Sequence, residues 1–123
     1  MDVRAVIDAY YERATAGDWD AWCDLFTDDL VMDEQIAGRV EGIDTLRSMM
    51  KGFPAMYPEF ANTPLRVLTD GTEAAVVSRI EARTKSGRTI EAEVMAYFQL
   101  VGNRIGYFAN YHDTVPFTQA LDT

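Results

Sequence analysis

Acidic residues, one arginine and one histidine are the side chains of this chain that could transfer protons. His112 is the only histidine in the sequence, and an imidazole has an unperturbed pKa of about 6.5, which suits proton transfer at neutral pH. Glu34, Arg79 and Glu81 lie in segments with the alternation typical of strands. A carboxyl group held in an apolar cavity has a raised pKa and becomes a usable acid or base. The chemistry of this chain therefore depends on which of these side chains point inward.

Glu34 lies at the end of a strand-like segment that contains Met32. In a strand these two residues share one face, while Asp33 between them faces the other way. Because Met32 favours burial, we predict that Glu34 points inward. If the strand is frayed at this end, Glu34 is exposed to water instead.

Arg79 and Glu81 share one face of a later predicted strand, but two registers with the next strand are open. If the turn between the strands has two residues, Arg79 lies opposite Val94 and Glu81 opposite Ala92, on an apolar, inward face. If the loop is one residue longer, Glu81 faces Glu93 and the charges lie on a polar outer face. A slip of one residue turns every side chain to the other face of a sheet.

The last strand presents the same kind of ambiguity. Asn103, in the preceding turn, tolerates the left-handed conformation, which favours a three-residue loop with a bulge and turns Asn110 and His112 inward. A plain two-residue turn would instead send Tyr111 and Asp113 inward. We favour the bulged form and keep Asp113 as a reserve candidate.

Apolar side chains are predicted to form the remaining walls. The helices and the loop after them supply Trp22, Phe26, Met50, Phe53, Met56 and Tyr57. The strands supply Met32, Ala92, Val94 and Phe108. An apolar cavity with a few convergent polar groups is typical of a small-molecule site.

The hydrophobic spacing predicts helices first and strands afterwards. A helix over residues 3–16 ends at Gly17, Asp18 caps a second that Asp28 and Asp29 close, and Gly42 opens a third that Pro54 stops. Strands are predicted over residues 30–35, 65–69, 73–85, 88–101 and 104–113, and a short tail from Val115. This order predicts an α+β fold, with three N-terminal helices covering the concave face of a curved, cone-shaped, antiparallel or mixed sheet.

The composition narrows the possible functions. With 123 residues, 48% of them hydrophobic, we expect a single globular domain over residues 1–123. The net charge of −9 disfavours nucleic acid and anionic membranes as partners, and no apolar run is long enough to span a bilayer. The N-terminus lacks the pattern of a signal peptide, which favours a cytoplasmic location. One cysteine and one histidine cannot form a zinc site, so no metal is expected.

Three phrases carry a resemblance to a known superfamily: TAGDWDAWCDLFTDDLVM, GRVEGIDTLRSMM and YFQLVGNRIGYFANYHDTVPF. With the element order above, the chain resembles the nuclear transport factor 2-like superfamily over roughly residues 3–117. Within it, the chain is similar to SnoaL-like polyketide cyclases, ketosteroid isomerases and limonene-epoxide hydrolase. The resemblance implies an apolar cone in which carboxylates act without a cofactor.

The resemblance also implies roles for individual residues. Glu34 stands where ketosteroid isomerases carry a proton-shuttling Asp, and SnoaL-like cyclases use an acid near Asp113. Limonene-epoxide hydrolase carries Arg-x-Asp where Arg79 and Glu81 stand, and an Asp where this chain has Asn110. This match favours the register in which Arg79 and Glu81 line the cavity. Two departures, Glu for Asp and Asn for Asp, weaken the epoxide-hydrolase assignment.

Three functions follow as hypotheses. The first is an isomerase-, cyclase- or lyase-type enzyme that uses acid–base chemistry on a hydrophobic oxygenated molecule such as a polyketide or terpenoid. The second is epoxide opening, and the third is a non-catalytic module that binds a ligand or a partner. Many relatives pair through the outer sheet face, where Met95, Tyr97 and Tyr107 are predicted to lie, so a homodimer is also expected.

Overall fold

Two helices begin the chain in the computed structural model, which describes residues 1–121. Helix α1 (Val3–Ala16) ends at Gly17, whose φ of 72° lies in the left-handed region. Asp18 caps α2 (Trp19–Cys23), its side chain accepting a hydrogen bond from the Ala21 N–H at 3.1 Å. Both helix boundaries at this junction confirm the prediction. Helix α2 is shorter than predicted, however, because strand β1 (Phe26–Glu34) already begins at Phe26 and includes both aspartates predicted to close the helix.

The remaining elements include three that the sequence analysis did not predict, one short strand and two short helices. In chain order they are β2 (Gly38–Glu41), α3 (Ile43–Met50), α4 (Phe53–Met56), β3 (Glu59–Asp70), β4 (Glu73–Arg83), β5 (Thr89–Val101), β6 (Arg104–Tyr111) and α5 (Val115–Leu121). Strand β2 follows a turn over residues 35–37, in a segment where no strand was predicted. The prediction that Pro54 stops the third helix is wrong, because α3 already ends at Met50 and Pro54 lies in the first turn of α4. Helix α5 replaces the predicted tail: the Asp113 carboxylate accepts the Val115 N–H at 2.9 Å, and Pro116 lies in the first turn, where a helix tolerates proline.

The six strands form one curved mixed sheet in the order β2-β1-β6-β5-β4-β3. Strands β1 and β6 pair in parallel and all other neighbours are antiparallel. The helices pack on one side, so the predicted α+β fold class is confirmed. The core between the layers is rich in aromatic rings: Tyr10 of α1 lies 5.0 Å from Phe98 and 5.6 Å from Phe108, measured between ring centroids.

The register of β4 with β5 turns Arg79 and Glu81 outward. Arg79 lies opposite Glu93 and Glu81 opposite Glu91, because the connecting loop has three residues, 85–87. The Thr84 N–H donates to the Arg88 carbonyl at 2.8 Å across this loop, and Gly87 has a φ of 87°. The longer-loop alternative therefore gave the correct face, although it paired Glu81 with Glu93 and not with Glu91. The prediction that Arg79 and Glu81 line the cavity is wrong.

The register of β6 depends on Gly106. Val101 pairs with Arg104 across a two-residue turn, but Gln99 pairs with Tyr107, so Gly106 is an extra residue in β6. This bulge restores the alternation that the short turn would have reversed, and Asn110 and His112 face inward as predicted. The bulge was predicted at the turn itself and lies instead within the strand.

A side chain at Gly106 would displace Val101, since a Cβ built there would lie 2.9 Å from Cγ2 of Val101. We expect Gly106→Ala to destabilise the protein by about 1–3 kcal/mol through this steric clash. The measurement is thermal or urea unfolding. Val101→Ala combined with Gly106→Ala is expected to recover most of the loss. A double variant no more stable than Gly106→Ala alone would show that the clash is not the cause.

Candidate functional site

A cavity of about 360 Å³ lies between the concave face of the sheet and the helices. Its walls are mostly apolar and aromatic, with contributions from all five helices and from strands β1, β3, β4, β5 and β6. Among the lining residues, Glu34 is the only Asp or Glu, and none is Lys or Arg. The charged chemistry of this cavity therefore depends on Glu34 and on the neighbouring His112.

Glu34 is held by the turn that follows it. Its Oε2 accepts hydrogen bonds from the backbone N–H groups of Ile36 at 2.8 Å and Ala37 at 2.5 Å. Two donors fix one carboxylate oxygen, so the other oxygen, Oε1, is directed towards His112. Both turn residues also line the cavity, which places the carboxylate in its wall.

His112 and Glu34 form a shielded pair. His112 Nε2 lies 3.4 Å from Glu34 Oε1, and the two side chains are only 3% and 19% exposed. The other ring nitrogen, Nδ1, lies 2.8 Å from the Asp113 carbonyl oxygen. Because a carbonyl only accepts, Nδ1 carries a proton, and Nε2 faces Glu34 with a lone pair or with a second proton. The pair can therefore hold one transferable proton between imidazole and carboxylate.

Asn110 and Phe117 complete this end of the cavity. Asn110 Oδ1 accepts the Gln35 N–H at 3.3 Å, which leaves the Nδ2 amide group free to donate to a ligand. The Phe117 ring of α5 packs 4.8 Å from the imidazole, measured between centroids, and fixes its orientation from the other side. We name Glu34, Asn110 and His112 the acid–base end.

Most of the predicted wall residues do line the cavity. These are Trp22, Met32, Met50, Phe53, Met56, Tyr57, Val94 and Phe108, together with Glu34, Asn110 and His112. Two predicted wall residues do not: Phe26 is 1% exposed within the core, and Ala92 pairs with Ile80 beside the cavity without lining it.

The other predicted acid–base residues lie outside the cavity. Arg79 donates a hydrogen bond to Glu91 at 3.0 Å on the outer sheet face, where Glu81 is also exposed. Asp113 is exposed and caps α5 rather than reaching the cavity. Their alternation in the sequence could not reveal this, because the loop length decides the face.

Several wall residues were not predicted as part of the site. Tyr10, Tyr11, Asn62, Ser78 and Leu121 all line the cavity. Ser78 carried a detectable signal, since it is a polar residue in the apolar alternation of β4. Asn62 was missed because β3 begins at Glu59, earlier than predicted, and Leu121 because α5 was taken for a tail.

Three tyrosine hydroxyls in the wall stay protonated at neutral pH. Burial raises the pKa of Tyr10 well above its usual value, and the charges of Tyr11 and Glu34 add to the rise. Burial also raises the pKa of Tyr11, against a smaller lowering by Ser78, and the pKa of Tyr57, where the Glu34 charge contributes. These phenols therefore present neutral O–H groups to a ligand.

The Asp113 carbonyl should determine the tautomer of His112. We expect the neutral imidazole to carry its proton on Nδ1, because that nitrogen donates to the carbonyl. A two-bond ¹H–¹⁵N correlation spectrum measures this directly, with a single histidine to assign. Glu34→Gln should keep the same tautomer, since the carbonyl is unchanged. A proton on Nε2 in the neutral ring would contradict the geometry.

Within residues 1–121, no three His, Cys, Asp or Glu side chains come together in a way that could hold a metal ion. In the same residues, no helix is both long and apolar enough to cross a membrane.

Comparisons with known proteins agree with this architecture. Solved structures with the same fold include a Jannaschia protein whose name describes it as a SnoaL-like polyketide cyclase, at 14% identity and a TM-score of 0.84 over 98% of this chain and 92% of that one. A Catenulispora acidiphila protein with a ketosteroid isomerase-like fold, in complex with trimethylamine, matches at 13% identity and a TM-score of 0.84 over 95% and 92%. A Mycobacterium tuberculosis LEH-like epoxide hydrolase matches at 17% identity and a TM-score of 0.83 over 97% and 88%.

These identities are low, so the structures establish the fold alone. No curated protein matches the sequence. A family model described as a SnoaL-like domain matches residues 7–107, which is most of the chain. The predicted resemblance is therefore confirmed, and the chain belongs to the SnoaL-like domain family.

Proposed function

We propose that this protein is a small-molecule enzyme of the isomerase or cyclase type, which transfers protons on a hydrophobic, oxygenated substrate such as a polyketide or terpenoid. The observation that carries the proposal is the Glu34–His112 pair in the wall of an apolar cavity. A carboxylate shielded from water and fixed by backbone donors suits proton abstraction next to a carbonyl group. The cavity volume of about 360 Å³ suits a small ligand.

The geometry supports a simple reaction sequence. Glu34 Oε1 takes a proton from a carbon next to a substrate carbonyl, and the electron pair of the broken C–H bond moves to the carbonyl oxygen. The Asn110 amide donates a hydrogen bond to that oxygen as its charge develops. Glu34 then returns the proton to the carbon where the new C–H bond forms, or passes it to His112, which delivers it to that carbon. The net result is an isomerisation. In a cyclisation, the enolate carbon instead forms a bond to a second carbonyl carbon, and the resulting alkoxide takes up the proton that Glu34 abstracted.

Epoxide opening has less support. It requires a base that holds a water molecule and an acid that protonates the leaving oxygen. The Arg79 and Glu81 pair that would serve this role lies on the outer sheet face and forms ion pairs there. The described cavity wall contains one carboxylate, Glu34, which suits a one-base reaction better.

Hydrogen exchange on a model ketone tests the proposed chemistry. We expect the protein to accelerate deuterium exchange at C1 of 2-tetralone in D₂O, followed by NMR. Glu34→Gln should reduce the enzyme-catalysed rate by about 100-fold or more, because an amide cannot accept the proton. His112→Phe should also slow it.

The matched control is Glu81→Gln, the same acid-to-amide change outside the cavity, which should leave the rate unaltered. Exchange no faster than in buffer, or equal rates in wild type and Glu34→Gln, would reject the acid–base proposal. Binding of 2-tetralone without any exchange would favour a non-catalytic binding module.

We further propose that two copies pair through the outer sheet face. A row of outward side chains crosses this face, in which Val77 lies opposite Met95 and Met95 opposite Tyr111. Met95 is 45% exposed and Tyr111 55%, and Leu68 on β3 is 72% exposed. Exposed apolar area of this kind on a sheet is typical of an interaction surface.

Sedimentation velocity at micromolar concentration measures the pairing. We expect a dimer for the wild type and a shift of at least about ten-fold towards monomer for Met95→Glu, because a charge is then buried without a partner. Val115→Glu adds the same charge on α5, away from this face, and should leave the dimer intact. A wild-type monomer at these concentrations would remove the proposal.

A further inference from the structure

Three unpaired polar atoms belong to residues in the cavity wall. In the described part of the chain, four buried side-chain polar atoms have no hydrogen-bond partner: Trp22 Nε1, Thr27 Oγ1, Asn62 Oδ1 and Ser78 Oγ. All but Thr27 line the cavity. A buried polar group without a partner destabilises a fold, so such groups are rare and call for an explanation.

Ser78 and Asn62 are neighbours across β3 and β4. Asn62 pairs with Ile80 and Pro64 with Ser78, so the two side chains are diagonal neighbours on the inner face. Ser78 is fully buried, with no exposed surface. Its hydroxyl is near enough to Tyr11 to lower the pKa of that phenol in part, but the two groups do not meet hydrogen-bond geometry.

Asn62 is fixed by its backbone and not by its side chain. Thr15, at the end of α1, donates its hydroxyl proton to the Asn62 carbonyl at 3.2 Å and accepts the Asn62 N–H at 3.0 Å. These two bonds hold the main chain of β3 against α1. The side-chain amide is then carried into the cavity wall with its own hydrogen-bonding capacity unused.

Trp22 adds a donor from α2. Its side chain is 4% exposed and packs against Tyr10, at 5.5 Å between ring centroids. Tyr10 in turn contacts Tyr11 at 4.8 Å, so the rings join Trp22 to the Ser78 region. An indole N–H only donates, an amide oxygen only accepts, and a serine hydroxyl does both.

We propose that Asn62 and Ser78 form a recognition subsite for a hydroxyl group of the ligand. A ligand hydroxyl can donate to Asn62 Oδ1 and accept from Ser78, and an apolar group of the same size can do neither. The substrate class named by the proposed function is thereby narrowed to molecules with a second oxygen, remote from the reacting carbon. The inference rests on the proposed function only for the position of the acid–base end.

Binding requires a small local rearrangement. Each of the three atoms is shielded from solvent. The atoms that shield Asn62 Oδ1 and Ser78 Oγ therefore have to move aside for the ligand oxygen. The discriminating property is then a difference in affinity between two ligands of equal size, one with a hydroxyl and one with a methyl group.

Equilibrium dialysis with 2-naphthol and 2-methylnaphthalene measures that difference. We expect the wild type to bind 2-naphthol at least five-fold more tightly. Ser78→Ala and Asn62→Ala should each reduce this preference to less than two-fold. Glu34→Gln should retain it, so loss of proton exchange and loss of hydroxyl preference are separate results.

Unfolding measurements distinguish a recognition role from a structural one. Because its hydroxyl has no partner, Ser78→Ala should unfold at the same temperature as the wild type or a higher one. Thr27→Val removes the fourth unpaired polar atom, which lies away from the cavity. This variant should behave likewise in unfolding while keeping the naphthol preference.

Three results would overturn the subsite. One is equal affinity of the wild type for both probes, and another is a preference that survives in both variants. The third is a large drop in the unfolding temperature of Ser78→Ala, which would show that the hydroxyl supports the fold. If Ser78→Ala does not fold, that third result is obtained, and Asn62→Ala still reports on the preference.

Discussion

The parallel pairing of β1 with β6 is the contact on which the candidate site depends. Met32 lies opposite Phe108 and Asp33 opposite Ala109, which brings Glu34 beside Asn110 and His112 from a separation of 78 positions in sequence. A parallel pair needs a long crossover, and here nearly the whole domain forms it. The sheet must therefore be assembled before the acid–base end exists.

The position of this pairing is in turn sensitive to one glycine. Gly106 provides the extra residue in β6, and its lack of a side chain makes the bulge possible beside Val101. Without the bulge, the alternation along β6 would be reversed beyond residue 105, and Tyr111 would take the inward direction that Asn110 and His112 now have. Gly106 takes no part in proton transfer, but it thus determines which of the following side chains face the cavity.

Sequence patterns predicted the layers of this fold well, because helix caps and periodicity are local properties. Asp18 and Gly17 marked a helix junction that the structure confirms. The inward direction of Glu34 followed from its alternation with buried Met32. The face of Arg79 could not be predicted, since it depends on whether the loop at Gly87 has two residues or three. The three-residue loop is held by hydrogen bonds that Thr84 makes with Gly87 and Arg88, and the alternation of the strands does not predict these bonds.

The two faces of the sheet carry different kinds of polar side chain. On β4 and β5 the ionisable side chains face outward, where Arg79 pairs with Glu91 and solvent screens the interaction. Inside, those strands and β3 contribute only neutral groups such as Ser78 and Asn62.

Ionisable side chains other than tyrosine line the cavity at one place, where the ends of β1 and β6 bring Glu34 and His112 together. A carboxylate buried alone would be costly, but Glu34 receives two backbone donors from its own turn and lies beside the imidazole of His112, just after β6. The proposed proton transfer thus uses side chains at the ends of β1 and β6, and the proposed recognition of the ligand uses β3 and β4. Under the proposed function, a substrate that spans the cavity meets proton transfer at one end and neutral hydrogen bonding at the other. Its orientation would then be determined by where its oxygens lie along an otherwise apolar body.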